Sequence, residues 1–258
     1  MNLNHGIILF LAAIVAGAIN SVAGGGSFVT FPTLLFAGIP PVNANATNSV
    51  AVWPGQAASI GAYRRQFENL SRAIMTPLII TAVLGGVLGA WTLLKTPQKT
   101  FMQLVPWLML AATLIFTMSG RVTRWVRRRT ASGEHPQYSN VRAVSIQIFI
   151  AFYIGYFGAG AGILILAMLA LLGMDEIHTM NALKALLTTI SNGVAMVLFV
   201  AAHAVYWPET IIMAVGSVLG GYFGAYFAQR TKPEYVRAIV IVIGFTLSAY
   251  FFARQIWH

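Results

Sequence analysis

Lys184 is the residue in this chain with the most chemistry to offer. It stands about six residues inside the apolar segment 178–203, between Asn181-Ala182-Leu183 and Ala185-Leu186. A lysine at the centre of a membrane helix costs about 3 kcal/mol, so it needs water, a partner or an anion. Two plainer readings stand beside that one: the side chain snorkels to the interface, or it pairs with Asp175 or Glu176, two turns away. Asn181 and Asn192 share its segment, while Asn45, Asn48 and Gln56 lie on another apolar segment, with Thr47 and Ser49 beside them. A cation flanked by amide donors suits a small oxyanion, although such residues also serve membrane helices as hydrogen-bonding glue.

A second group of candidates has no side chains to speak of. Gly24-Gly25-Gly26 and Gly158-Ala159-Gly160 each precede a short apolar stretch. If those stretches are helical, the glycines let the chain turn and leave N–H groups exposed at a helix start. There the positive dipole end favours an anion. Ser27 adds a hydroxyl at the first of these turns. The bland alternative is close helix packing, the common use of glycine in membrane helices. Enzyme chemistry has no foothold: no H-E-x-x-H, no Ser-His constellation and no phosphate loop occurs, and Asp175, Glu176, Glu209 and Glu234 lie near segment ends. His178 and His203 bracket one segment and read as interfacial residues, so neither a cofactor nor a metal is expected.

These candidates come in pairs because the chain repeats itself. Ala23-Gly24-Gly25-Gly26-Ser27 answers Phe157-Gly158-Ala159-Gly160-Ala161 at an offset of 134, and Asn45-Ala46-Thr47-Asn48 answers Asn181-Ala182-Leu183-Lys184 at 136. Gln56-Ala57 answers Asn192-Gly193 at 136, Leu84-Gly85-Gly86 answers Leu219-Gly220-Gly221 at 135, and Pro97 answers Pro233 at 136. Asn48 is therefore the counterpart of Lys184, and Gln56 of Asn192. Two halves on one plan, each with a glycine break and a polar cluster, point to a transporter whose site lies between the repeats, Lys184 facing Asn48.

Composition sets the surroundings. With 58% hydrophobic residues, 9% charged residues and a mean hydropathy of +0.75, the chain is a multi-pass membrane protein and not a soluble domain. The apolar windows give about five helical segments per half: 5–23, 27–38, 44–63, 73–94 and 98–119, then 141–157, 160–172, 178–203, 208–229 and 234–253. The short second segment of each half cannot cross comfortably and reads as part of a broken helix or hairpin. The expected fold is an all-α membrane protein, with a first repeat over 1–120, a basic cytoplasmic linker over 121–140 and a second repeat over 141–258. Pro97, Pro208 and Pro233 mark segment starts, Ile39-Pro40-Pro41 a non-helical connection, and Pro54 a kink. The glycines of 84–90 and 219–225 read as packing surfaces.

The net charge of +10 does not mean nucleic acid, because the Lys and Arg residues lie between apolar segments. If the two repeats are inverted, twelve of them face the cytoplasm and only Lys95, Lys99 and Arg254 the outside; parallel repeats give ten against five. The positive-inside rule favours the inverted arrangement, with both termini outside. The absence of cysteine excludes a disulfide framework and thiolate ligands.

The run Asn20-Ser21-Val22-Ala23-Gly24-Gly25-Gly26-Ser27, the proline-rich turn after it, Asn45-Ala46-Thr47-Asn48-Ser49, and the tandem recurrence of turn and Asn/Lys-bearing segment together resemble the TauE/SafE family of sulfite and organosulfonate exporters. The resemblance covers essentially the whole chain. It implies a secondary carrier of the bacterial inner membrane for small sulfur-containing anions such as sulfite or sulfoacetate, working by alternating access. The implied partners are the anionic substrate and the lipid bilayer, with a homodimer left open. The alternatives are a passive anion channel and a carrier for a non-sulfur organic anion.

Overall fold

The structure, a computed structural model, describes residues 3–22, 25–61, 66, 70, 72–132, 140–172, 174, 176–228 and 233–256. Every regular element among them is an α-helix. The first half contributes α1 (Leu3–Val22), α2 (Ser27–Phe36), α3 (Pro41–Gly61), α4 (Arg72–Lys95) and α5 (Gln98–Ser132). The second contributes α6 (Asn140–Tyr156), α7 (Ala161–Leu171), α8 (Ile177–Ala201), α9 (Trp207–Ala228) and α10 (Pro233–Ile256).

The helix ends fall where the chain chemistry puts them. Pro40 and Pro97 supply the carbonyls that receive Ala44 N–H and Phe101 N–H, so α3 and α5 each start beside a proline. Gly38, at φ +86°, ends α2 with Gly38 N–H bonded to Leu35 O and Ile39 N–H to Leu34 O. One helix runs past the end of its apolar segment. The segment expected to stop at 119 continues as helix to Ser132, through the basic run expected to be linker. Arginine is a good helix former, no proline intervenes before Gly133, and a single glycine, Gly120, weakens a helix without ending it.

Among the described residues four helices contain stretches long and apolar enough to cross a membrane: Met75–Lys95, Gln98–Met118, His178–Ala201 and Ala238–Gln255. At 10 and 11 residues, α2 and α7 are only about 15–16 Å long at 1.5 Å per residue, half a hydrocarbon core. Exposed apolar residues form stripes at helical spacing, as Ile211, Val215, Val218 and Tyr222 do on α9. That inside-out character belongs to a chain solvated by lipid.

The helices gather into two compact units that cut across the repeats. Unit 1 comprises Met1–Gly55, Leu93–Thr117 and Phe199–His258; unit 2 comprises Gln56–Thr92 and Met118–Leu198. In unit 2, α4 of the first repeat lies on α6 of the second. A Cβ added at Gly85 would sit 2.6 Å from Ile148 O and 2.5 Å from Ala151 Cβ. In unit 1 the roles reverse: α9 of the second repeat lies on α1 of the first, with Gly220 against the Ile14 carbonyl and Gly17 against that of Ser217. Ile14 and Ile148 are repeat counterparts, as are Gly85 and Gly220, so one close contact is built twice with the repeats exchanged. Gly85, Gly86, Gly89 and Gly220, all expected to serve packing, lie against the backbone of a neighbouring helix.

Each unit has its own core. In unit 2, Leu78, Ile154, Ile165, Met168, Leu183 and Leu187 are buried together. In unit 1 aromatic rings dominate, Phe28 edge-on to Phe116 at 6.1 Å and Phe31 to Phe101 at 6.4 Å. Hydrogen bonds also collect several helix ends of unit 1 in one place. Gln98, opening α5, accepts from Val42 N–H and donates to Asn43 at the start of α3. Asn43 in turn donates to Ala204 O just beyond α8, and Tyr206 N–H, just before α9, donates to Thr47. Gln255, near the end of α10, donates to Met102 O and Gln103 O in the first turns of α5.

Candidate functional site

Lys184 lies two turns into α8, half-buried, and its ammonium donates to Asn181 Oδ1 at 2.9 Å, one turn earlier on the same helix. Its aliphatic stem crosses the first turn of α7: a Cβ on Gly162 would stand 3.3 Å from Lys184 Cδ and 3.6 Å from Cγ. The lysine is therefore neither at the helix tip nor snorkelling away from the glycine turn; its stem runs alongside it. An ammonium carries three donors, so one hydrogen bond to Asn181 leaves two.

The turn itself is built by left-handed glycines. Gly158 and Gly160 have φ of +78° and +74°, a region L side chains rarely adopt, and Gly160 caps α7. Asn192 stands near it, its Oδ1 3.7 Å from where a Gly158 Cβ would be, and its Nδ2 donates to Gln56 Oε1 at 2.9 Å. Gln56 and Asn192 are repeat counterparts by sequence and are in direct contact. Unit 2 thus holds Lys184, Asn181, Asn192, Gln56, Gly158 and Gly160 near one another, six of the residues singled out from sequence.

The other candidates fall in unit 1 and do something different. Asn48, the counterpart of Lys184, is buried and accepts from Thr30 Oγ1 at 2.5 Å. Thr30 also lies 3.1 Å from Gly26 O, and Gly26 N–H donates to Asn20 Oδ1 at 2.7 Å. Asn45 is buried on the same helix, its carbonyl receiving Ser49 Oγ at 2.9 Å. Ser27 opens α2 half-buried, and Gly25 takes φ +99° against the Phe116, Val240 and Phe28 side chains. Gly24 lies outside the described residues. Asn48 belongs to unit 1 and Lys184 to unit 2.

Of the two suggested ion-pair partners, Asp175 lies outside the described residues, and Glu176 does not pair with Lys184. Glu176 instead caps α8, accepting His178 N–H at 2.9 Å and Thr179 N–H at 2.5 Å. Desolvation, the largest single influence, pushes its carboxyl up, but the hydrogen bonds from the Thr179 side chain and the two backbone N–H groups, with nearby His178, together outweigh it and hold its pKa below the usual carboxylate range. A depressed pKa contributes stability that is complete above the unfolded value and lost as pH falls through the folded one. Glu176→Ala is accordingly expected to lower the thermal midpoint slightly at neutral pH and to remove part of its fall in acid, measured by melting curves from pH 7 down to pH 3.

Sequence reasoning missed Thr30, Gly162 and Tyr153, whose hydroxyl donates to Ala159 O at 2.7 Å inside the second glycine turn. Thr30 was visible as a polar residue in an apolar stretch; nothing in the sequence marked the other two. Among the described residues no group of His, Cys, Asp and Glu could hold a metal ion.

Comparison with known proteins agrees on the class. The chain is 30% identical to a probable membrane transporter protein of Haemophilus influenzae, over 97% of this chain and 95% of that one. It is 28% identical to the probable membrane transporter protein ORF9 of a Sinorhizobium species, over 93% and 89% of the two chains. It is 29% identical to the probable membrane transporter protein YfcA of Escherichia coli K12, over 94% and 87%. No solved structure gives a significant match. The profile described as sulfite exporter TauE/SafE matches residues 9–251, nearly the full length, and the chain belongs to that family of membrane transporters.

Proposed function

We propose that this protein is a secondary carrier that exports a small sulfur-containing anion, such as sulfite, sulfoacetate or a related organosulfonate, across the bacterial inner membrane by alternating access. The observation that carries the reading is the Lys184 ammonium, held by Asn181 with its stem along the first turn of α7, deep in an apolar helix. A positive charge in such a place is maintained at a cost and serves an anion. The family's description as a sulfite exporter supports the choice of sulfur oxyanions.

The repeats are inverted in this reading. The support comes from the gathered ends of unit 1, where α3 begins while its counterpart α8 ends, and α5 begins while its counterpart α10 ends. Lys95, Lys99 and Arg254 belong to that gathered end, which is the periplasmic one by charge. Because the chain has no cysteine, single-cysteine labelling is clean. Lys99→Cys is expected to react with an impermeant maleimide from the periplasm and His178→Cys, at the far end of α8, only from the cytoplasm. Labelling of both from one side would sink the inverted arrangement.

Transport needs no coupling ion in this scheme. An anion leaving an inside-negative cell gains about 2.3 kcal/mol per charge per 100 mV, enough to hold roughly a 50-fold gradient of a monoanion. Proteoliposomes loaded with sulfite and given an inside-negative potassium-diffusion potential, at equal pH and without sodium, are expected to show saturable efflux that rises with the potential. Efflux indifferent to the potential and driven by a pH step would replace uniport by proton coupling, and unitary currents would replace the carrier by a channel.

A further inference from the structure

The two glycine turns occupy equivalent places in the repeats, yet they are fastened from opposite sides. In the first, the side chain is an acceptor: Asn20 Oδ1 takes Gly26 N–H. The donor at the start of α2 is spent on the protein. In the second, the side chain is a donor: Tyr153 O–H gives to Ala159 C=O, while the Tyr153 backbone carbonyl receives Phe157 N–H at 2.8 Å and Gly158 N–H at 2.9 Å. Ala159 C=O and Gly160 N–H belong to one planar trans peptide and point in opposite directions. Holding that carbonyl therefore aims Gly160 N–H away from the tyrosine without consuming it.

The surroundings differ in the same sense. A Cβ on Gly26 would lie 2.5 Å from Ala16 O, and one on Gly25 would meet apolar groups of Phe116, Val240 and Phe28 at 3.1–3.3 Å. The first turn is sealed by α1 and by rings. At the second turn the neighbours from another helix are an amide oxygen, Asn192 Oδ1, beside Gly158, and beside Gly162 the aliphatic stem of Lys184, whose ammonium lies further on at Asn181. Where Lys184 stands in the second repeat, the first has Asn48, its carbonyl oxygen engaged by Thr30.

We infer that the anion is bound at the second turn alone, and that Tyr153 is a positioning residue which orients the Gly160 N–H toward it beside the Lys184 ammonium. The first turn is a structural lock with no ligand of its own. The inference rests on the anion-carrier reading above and refines it by assigning the anion to one of the two glycine turns.

The test compares the full-length wild type with Tyr153→Phe, Gly162→Ala and Asn20→Ala in proteoliposomes, using sulfite as the probe. Apparent KM, kcat and the thermal midpoint with and without sulfite are measured for each. Tyr153→Phe is expected to raise KM about three- to tenfold, the worth of one neutral hydrogen bond, while kcat holds. Gly162→Ala, which favours the helix but presses on the lysine stem, is expected to raise KM without lowering the ligand-free midpoint. Asn20→Ala is expected to lower the ligand-free midpoint and leave KM as it was. Wild-type KM in both Tyr153→Phe and Gly162→Ala, or an Asn20→Ala KM raised as far as theirs, overturns the single-site assignment. If Tyr153→Phe does not fold, the Gly162→Ala KM decides alone. A wild type neither transporting nor stabilised by sulfite, sulfoacetate, taurine or sulfate removes the anion reading and this inference together.

Discussion

Lys184→Ala is expected to raise KM for the exported anion roughly ten- to 150-fold, because a charged hydrogen bond to a bound ligand contributes about 1.5–3 kcal/mol. The variant should fold. Its loss removes one donor from Asn181 Oδ1 at a half-buried position, a smaller penalty than stranding a charge would be, and alanine suits the interior of α8. Lys184→Arg keeps the charge but replaces a compact ammonium by a wide planar fork, and the stem has only the width left by Gly162. Its KM is expected to lie between those of wild type and alanine. Concentration-dependent efflux in proteoliposomes, with melting curves as the control for folding, measures both. Wild-type KM in a folded Lys184→Ala protein would make the lysine a structural anchor and remove the main support for an anion site in unit 2.

Gly85→Leu and Gly220→Leu are expected to have the largest effects on stability. Each glycine lies directly against a backbone carbonyl of its neighbour, Ile148 O for Gly85 and Ile14 O for Gly220. A backbone atom cannot swing aside as a side chain can, so even a Cβ drives the helices apart and forfeits the packing along both. Overpacking of this kind costs about 1–3 kcal/mol and more where the neighbour is rigid. In a membrane, where helices associate mainly through close packing, that loss has little hydrophobic compensation. Because the two contacts are counterparts, the substitutions should lower the melting midpoint in detergent by comparable amounts. Gly38→Leu is no matched control, since Gly38 has φ +86°; Gly55, with nothing within 4 Å of its Cβ and an ordinary φ, is one, and Gly55→Ala should be nearly neutral.

Much of the fold could be read in advance because its punctuation is local. Pro40-Pro41, Pro97, Pro233 and the glycine turns act on their own neighbours, and the helices start and stop beside them. The extension of α5 to Ser132 was missed because charge was taken as a boundary, whereas a charged run is as good a helix former as an apolar one. The exchange of helices between repeats was not legible at all. A face of glycines states that something will come close but not what, and Gly220 could have met α6 of its own repeat as readily as α1. Residue types singled out Lys184, Asn192 and Gln56, which the structure gathers near one glycine turn, but a buried amide reads the same whether it awaits a ligand or bonds a threonine, as Asn48 does.

The exchange of helices also sets a timetable for synthesis. Gly85 meets Ile148 after 63 further residues have been made, whereas Ile14 must wait for Gly220, 206 residues later. At about 5–20 residues per second that is a delay of roughly 10–40 s, during which the α1 face that will receive α9 has only lipid against it. Unit 2 can close while the chain is still on the ribosome, and unit 1 only when the last helices arrive. A chain cut after the first repeat would leave α1 without α9 and α4 without α6, so neither half-gene product is expected to be a folded protein by itself.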